Sequence, residues 1–291
     1  MSMDDPVDAP RMPNAMTDRL DVPLVTGILV VAEDERINLA RSAVASFINQ
    51  TYPNKEVIIV NAAPNKTVLE EQWPTLREFR VDPIMYPTIG ALRNKGIDEA
   101  KGEWILPFDD DDHSHLHRMF MQMAVRRDHH CVMLDRQVRV DTERQTLCIY
   151  ERKAGISNTV LFPRHAADNS LNLYDPDMIE AGEDDEFVER AFGERWVRLN
   201  TLPTQNGQEW FPGPCMTIAY YHTRNKSSRE RFFGQYAGTQ YDGLVCGTIP
   251  DDYLSYITDV MGKAGFSVNI GSPATGATTE GAPSGPVGAI N

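Results

Sequence analysis

The sequence predicts an α/β fold: an open, mostly parallel central sheet flanked by helices, with a smaller β-rich portion in its second half. Apolar runs of strand length recur over residues 25–31, 55–60 and 104–108. Segments with apolar residues at helical spacing, 37–48 and 89–100, alternate with them. Such alternation of the two periods marks β-α-β units, in which each helix crosses back over the sheet.

Taken in order, residues 1 to about 22 are rich in Asp, Pro and Met with no period, and read as a disordered leader. The first strand, 25–31, and the first helix, 37–48, lead to the turn Gln50-Thr51-Tyr52-Pro53-Asn54 and a second apolar strand. A third short strand is expected at 79–83, a helix at 89–100 and a fourth strand at 104–108. Leu116, Met119, Phe120, Met123 and Val125 place a helix from about Ser114. Two β-rich runs over 131–152 flank Asp141-Thr142-Glu143-Arg144, a hairpin, and 159–163 is a further strand. Helices are expected to begin near Glu183 and near Ser227. From residue 269 to 291 the chain is rich in Gly, Ala, Pro, Ser and Thr, and reads as a flexible tail. The expected organisation is one domain over 23–268, divided near 112, with no internal repeat.

At 291 residues with 41% hydrophobic and 24% charged side chains, the composition is that of a globular protein with length for a sizeable core. A formal net charge of −14 argues against broad binding to nucleic acid or to an anionic membrane, both of which need a cationic surface. Cys131, Cys148, Cys215 and Cys246 lack the short paired spacing of zinc sites and disulfide frameworks, so reduced thiols are expected. No run approaches the ~18 apolar residues of a membrane span, and the N-terminus lacks the basic and apolar parts of a signal peptide. The expected location is cytoplasmic.

Asp109, Asp110, Asp111 and Asp112 follow the apolar run 104–108 directly. Four adjacent carboxylates repel one another, so a fold keeps them together when they are solvated, compensated by cations or neutralised by a metal. The strand delivers them to its C-terminal edge, where open α/β sheets bind ligands. In an extended chain Asp109 and Asp111 point the same way and can share one hard cation, while Asp110 faces elsewhere. Asp112 is placed to cap the helix expected near Ser114. The competing reading is a solvated acidic turn without an ion. His113, His115 and His117 would suggest a transition-metal site on a strand, but on a helix His113 and His117 share a face that His115 does not.

The ordered features Asn49-Gln50-Thr51-Tyr52-Pro53-Asn54, Glu56-Val57-Ile58-Ile59-Val60, Gly90 with Arg93-Asn94 and Gly96, and Gly102-Glu103-Trp104-Ile105 leading into the Asp cluster resemble the family-2 glycosyltransferases. The resemblance runs from about Leu24 to Ser228. It implies the GT-A architecture, with a nucleotide-binding half over 23–112 and an acceptor half over 113–268. It further implies metal-dependent transfer of a sugar, with inversion, from a nucleoside-diphosphate donor, a UDP-sugar first, to a hydroxyl acceptor, with Mn2+ or Mg2+ as cofactor.

On that resemblance the donor is met by Ala32, Asn61, Arg93, Asp109 and Asp110, and the metal by Asp109, Asp111 and His222. Asp184, in Gly182-Glu183-Asp184-Asp185, matches the family's catalytic base; Glu183 and Trp210 fall on the acceptor side, Trp210 in an amide- and aromatic-rich segment of lid character. The chain departs from the family where Ala32-Glu33-Asp34-Glu35 replaces Pro-Thr-Tyr-Asn and Asn61-Ala62-Ala63-Pro64 replaces Asp-Asp-Gly-Ser. Ala62 offers no side-chain acceptor, which leaves the nucleotide base open.

Each assignment has a plainer counterpart. Arg93 suits phosphate oxygens or a salt bridge to a nearby carboxylate. The acidic run 183–186 suits a helix N-terminus irrespective of catalysis. Asn94 and Gly96 suit tight helix–strand packing. Two other activities share the pattern: a sugar nucleotidyltransferase, against which no Gly-rich basic loop follows the first strand, and a binding protein without turnover, motivated by Asn61 and Ala62. The acceptor is open among polysaccharide, lipid carrier, protein side chain and modified nucleobase.

Overall fold

The computed structural model describes residues 22–141, 146–167, 173–179, 182–199, 204–205, 208–209, 217–221 and 244–245. Strand β1 (Val25–Val31) is buried along its whole length, as a central parallel strand covered on both faces must be. A short 3-10 turn, Asp34–Arg36, leads from it into helix α1 (Ile37–Ile48) and then β2 (Lys55–Asn61). Next come β3 (Leu76–Arg80), α2 (Ile89–Glu99) and β4 (Trp104–Phe108). The strands of this half are all parallel and lie in the order β3-β2-β1-β4. The chain steps outward from β1 to β3 and then crosses back to the other side of β1. The C-terminal ends of β1 and β4 therefore frame the topological switch point, where open sheets take ligands.

The two faces of the sheet bury separate cores. Ile37, Ala40, Val44 and Phe47 of α1 pack with Leu29, Ile59, Leu106 and Phe108. Leu92 and Ile97 of α2 pack with Ile28, Val30, Ile58 and Ile105 on the opposite face, as strand alternation requires. Gly96 sets the approach of α2 to β1: a Cβ there would stand 2.4 Å from Ile28 Cγ2. The tight helix–strand packing expected at this glycine is what the structure holds.

The second half continues through β5 (Asp112–Ser114), α3 (Arg118–Ala124), β6 (Cys131–Asp141) and β7 (Thr146–Pro163), then α4 (Glu183–Phe192) and β8 (Trp196–Leu199). The short strands β9 (Thr204–Gln205), β10 (Gln208–Glu209), β11 (Thr217–Tyr221) and β12 (Leu244–Val245) complete the described elements. β7 runs antiparallel to β4 and to β6, which joins this half to the parallel sheet and realises the hairpin expected around residues 141–144. Phe187, Val188 and Phe192 of α4 close over the core beneath α2. No helix among the described residues is long and apolar enough to cross a membrane.

Three elements differ from expectation. The further strand expected at 159–163 is the end of β7. The third strand is Leu76–Arg80 rather than 79–83, because its register is set by pairing Leu76 with Val57 and Arg80 with Asn61. No helix begins at Ser114. Residues 112–114 pair with β11, Ala219 opposite Asp112 and Thr217 opposite Ser114, and α3 starts at Arg118. That pairing spans about a hundred residues and leaves no local trace. The leader through residue 21, the tail and the helix expected near Ser227 lie outside the described residues.

Candidate active site

β4 drives its apolar side chains into the sheet and ends at Phe108, so the four aspartates emerge at the switch point. They do not continue the strand. The Asp112 N–H donates to the Asp109 carbonyl at 3.2 Å, and the chain turns. As a result Asp109, Asp111 and Asp112 each bring one oxygen to within 4.8 Å of the others. Asp110 points away, as expected, and meets Arg36. Asp112, expected to cap a helix, instead belongs to this cluster, because β5 pairing replaces the helix.

The cluster is largely buried: Asp110, Asp111 and Asp112 are 5%, 8% and 9% exposed, and the Asp109 side chain 29%. Arginines compensate it in part, with Arg118 and Arg139 acting on Asp112. Arg36, in the turn after β1, donates from Nε to Asp110 Oδ2 at 2.7 Å and pairs through Nη2 with Asp111 Oδ2 at 2.8 Å. Arg93, on α2 and 3% exposed, donates from Nη2 to Asp109 Oδ1 at 2.8 Å. The same guanidinium donates from Nη1 to Asp184 Oδ1 at 2.6 Å and to Glu183 Oε1 at 3.2 Å. From β7, Asn158 Nδ2 reaches Asp109 Oδ2 at 3.4 Å, and its buried Oδ1 has no hydrogen-bond partner among the described residues.

Charge is unbalanced here despite the arginines. Burial pushes Asp109 above the ordinary carboxylate range and Asp110 up to about 6, with the neighbouring carboxylates adding to both and Arg93 and Arg36 opposing. Burial, then Asp109 and Asp111, push Asp112 well above its ordinary value. Carboxylates held so close are resisting ionisation for want of positive charge. Three hard oxygen donors and an unpartnered amide oxygen fit Mg2+ or Mn2+ rather than a soft metal.

Asp184 sits in the first turn of α4. Burial raises it to about 8, Arg93 pulls it down, and Glu183, Asp109 and Asp185 push it up. Asp185 faces elsewhere, accepting from Ser157 Oγ at 2.6 Å and Arg152 Nη1 at 2.5 Å, and is half exposed. Geometry thus separates two adjacent aspartates that sequence position alone distinguished.

The remaining expectations divide. Ala32 is exposed at the end of β1, beside the switch point. The Asn61 amide is turned to the protein. It is fully buried, its Nδ2 donates to Lys66 O and Glu78 Oε1, and its Oδ1 accepts from the Ala63 N–H. Its amide is consumed in holding the loop after β2. Arg93, expected at the diphosphate, is committed to carboxylates, the salt-bridge alternative. His222 and Trp210 lie outside the described residues. His113 lies in β5; His115 is buried and lowered to about 4 by that burial; His117 Nδ1 is 3.0 Å from Thr51 Oγ1. Among the described residues the Asp trio is the one convergent group of three or more metal-capable side chains. Sequence reasoning missed Arg36 and Asn158 altogether, since both reach the cluster only through the fold.

Residues 28–146, which include the whole acidic turn, match the family described as Glycosyl transferase family 2. A protein of Bacillus subtilis (strain 168) named as the glycosyltransferase EpsH is 35% identical over 96 residues, 32% of this chain. The matched stretch spans 27% of that relative's length. Among solved structures, Staphylococcus aureus TarS 1–349 in complex with UDP-GlcNAc is 13% identical with a TM-score of 0.49, covering 83% of this chain and 66% of its own. The mannosyltransferase PcManGT from Pyrobaculum calidifontis, in complex with GDP-Man and Mn2+, is 14% identical with a TM-score of 0.48, covering 73% and 59%. The parallel half with its antiparallel extension is the mixed α/β arrangement that the sequence predicts. Over residues 28–146 the chain is thus similar to glycosyl transferase family 2.

Proposed function

We propose that the protein transfers a sugar from a nucleoside-diphosphate donor to a hydroxyl acceptor at the C-terminal edge of β1 and β4. The observation that carries this reading is the bridge through Arg93, which ties the acidic turn at Asp109 to Asp184 at the start of α4. One end of that bridge suits the donor and the other suits the acceptor.

Asp109, Asp111 and Asp112 would hold Mg2+ or Mn2+, with His222 as a further ligand. When bound, such an ion supplies Lewis-acid stabilisation of the departing diphosphate. The protein's own groups do the rest. The acceptor oxygen forms a bond to the anomeric carbon as the bond from that carbon to the diphosphate oxygen breaks, and the electron pair leaves with the nucleoside diphosphate. The hydroxyl proton passes to Asp184, which burial holds in a range suited to taking and releasing one near neutral pH. Attack from the side opposite the leaving group gives inversion. Arg36 and Arg93 keep the carboxylates apart and oriented, and Ala32, without a bulky side chain, leaves room beside the nucleotide. The Asn61 amide is occupied, so the base would be selected by other groups.

The test is hydrolysis of UDP-glucose, UDP-N-acetylglucosamine and GDP-mannose by water, which requires no knowledge of the acceptor. Turnover of one donor in Mn2+ or Mg2+, abolished by EDTA, supports the reading. Tight nucleotide binding without turnover of any donor, across a panel of hydroxyl acceptors, would favour a binding protein.

A further inference from the structure

The Arg-Asn-Gly face of α2 does more than pack on β1. Asn94 makes a reciprocal pair with the backbone of Tyr174: its Nδ2 donates to Tyr174 O at 2.8 Å, and the Tyr174 N–H donates to its Oδ1 at 3.0 Å. Two turns before Asn94, the Thr88 hydroxyl, which caps α2 by accepting from the Ala91 N–H, donates to Pro176 O at 2.7 Å. Between them, a Cβ at Gly90 would stand 2.4 Å from Asp175 O, so only a glycine admits this backbone. Three consecutive residues, 174–176, are thus seated on α2 by hydrogen bonds and close approach.

The other side of that segment is bound to α4. The Tyr174 ring stacks on Phe187 with centroids 4.1 Å apart and planes 16° apart. Arg190 of α4 donates to Leu173 O. Tyr174 also lies beneath the Arg93 guanidinium, whose centre is 5.1 Å from the ring. The segment is a spacer whose two faces fix the distance between Arg93 on α2 and Asp184 on α4.

We propose that Asn94 is a positioning residue for Asp184, acting through the 174–176 segment and the Tyr174–Phe187 stack, and that Gly90 serves the same end by admitting the segment. The proposal rests on the reading of Asp184 as the base. Both ends of the Asn94 amide are committed to the Tyr174 backbone. Asn94 sets where the carboxylate stands, and a displacement of about 1 Å at a reacting group lowers a rate by roughly a hundredfold.

The experiment is a double-mutant cycle on hydrolysis of a radiolabelled nucleotide sugar, with Asn94→Ala, Asp184→Asn and the double variant, and with Gly90→Ala as an independent disturbance of the same segment. Circular dichroism and the metal-dependent melting shift with the nucleoside diphosphate establish that each variant folds and binds. The expected result is a kcat about 10- to 100-fold lower for Asn94→Ala and for Gly90→Ala, with donor KM within about 2-fold of the parent, and no further loss when Asn94→Ala is added to Asp184→Asn. Lys95→Ala, on the same helix but facing Glu99, leaves both constants unchanged. A loss from Asn94→Ala that is as large in the Asp184→Asn background as in the parent overturns the positioning role, as does a change confined to KM. A fully active Asp184→Asn enzyme overturns instead the base assignment on which the proposal stands.

Discussion

Arg93 Nη1 lies 2.6 Å from Asp184 Oδ1, joining a helix of the first half to a helix of the second half across 91 positions of sequence. Its other amino group holds Asp109, so one buried side chain fixes the separation between the candidate cation site and the candidate base.

Replacing Arg93 by Met should destabilise the protein by about 3 kcal/mol, because it strands buried carboxylates without their partner. Arg93→Lys should recover part of this loss, since an ammonium keeps the charge but cannot present a fork to three carboxylates at once. Urea denaturation measures both. The Met variant should lose less at pH 5 than at pH 8, as protonation relieves the stranded charges.

The pH dependence of stability has a definite sign. Asp110 and Asp184 are raised to about 6 and about 8, so their folded forms bind protons more tightly than the unfolded chain does. Stability from these groups is fully present below the ordinary carboxylate value and is lost as pH rises through the folded values. Without a cation, the melting temperature should fall between about pH 4 and pH 8, and millimolar Mg2+ or Mn2+ should flatten that fall. A melting curve indifferent to both pH and cation would contradict the charge imbalance at the turn.

The rate should follow the same carboxylate. Transfer or donor hydrolysis should rise with pH along a limb whose midpoint lies at or below about 8, because the cation offsets the negative charge that helps to hold Asp184 up. Asp184→Asn should abolish the limb along with most of the rate while leaving donor binding intact.

The parallel half was legible because each strand and helix carries its own period, and because Gly90, Arg93, Asn94 and Gly96 recur in a recognisable order. The Asp trio was not. An extended chain pairs Asp109 with Asp111 and consigns Asp112 to a cap, and only the turn at Asp109 and the pairing of β5 with β11 bring Asp112 inward. Arg36 was hidden for the same reason, lying beside Asp110 through the neighbouring ends of β1 and β4 rather than through sequence. Asn61 misled because its position at a strand end suggested a ligand contact, whereas burial and Glu78 decide its partners.

Asn61→Ala should accordingly act on stability. It removes the partner of Glu78 and of the Ala63 N–H in a buried place, a cost of about 2 kcal/mol by urea denaturation, with nucleotide preference unchanged.

Gly96→Ala should cost about 1–3 kcal/mol, since the added methyl meets Ile28 across a well-packed interface. Thermal denaturation reads it.

The most direct measurement is calorimetric titration of a nucleoside diphosphate, UDP first and GDP, CDP and dTDP in turn, into the protein with Mn2+ and with EDTA, for the parent chain and for Asp112→Asn. The account predicts binding that requires the cation in the parent and weakens at least tenfold in Asp112→Asn, with the fold retained. Binding equal in Mn2+ and EDTA, or an Asp112→Asn variant with parental affinity, would contradict a cation site built from Asp109, Asp111 and Asp112.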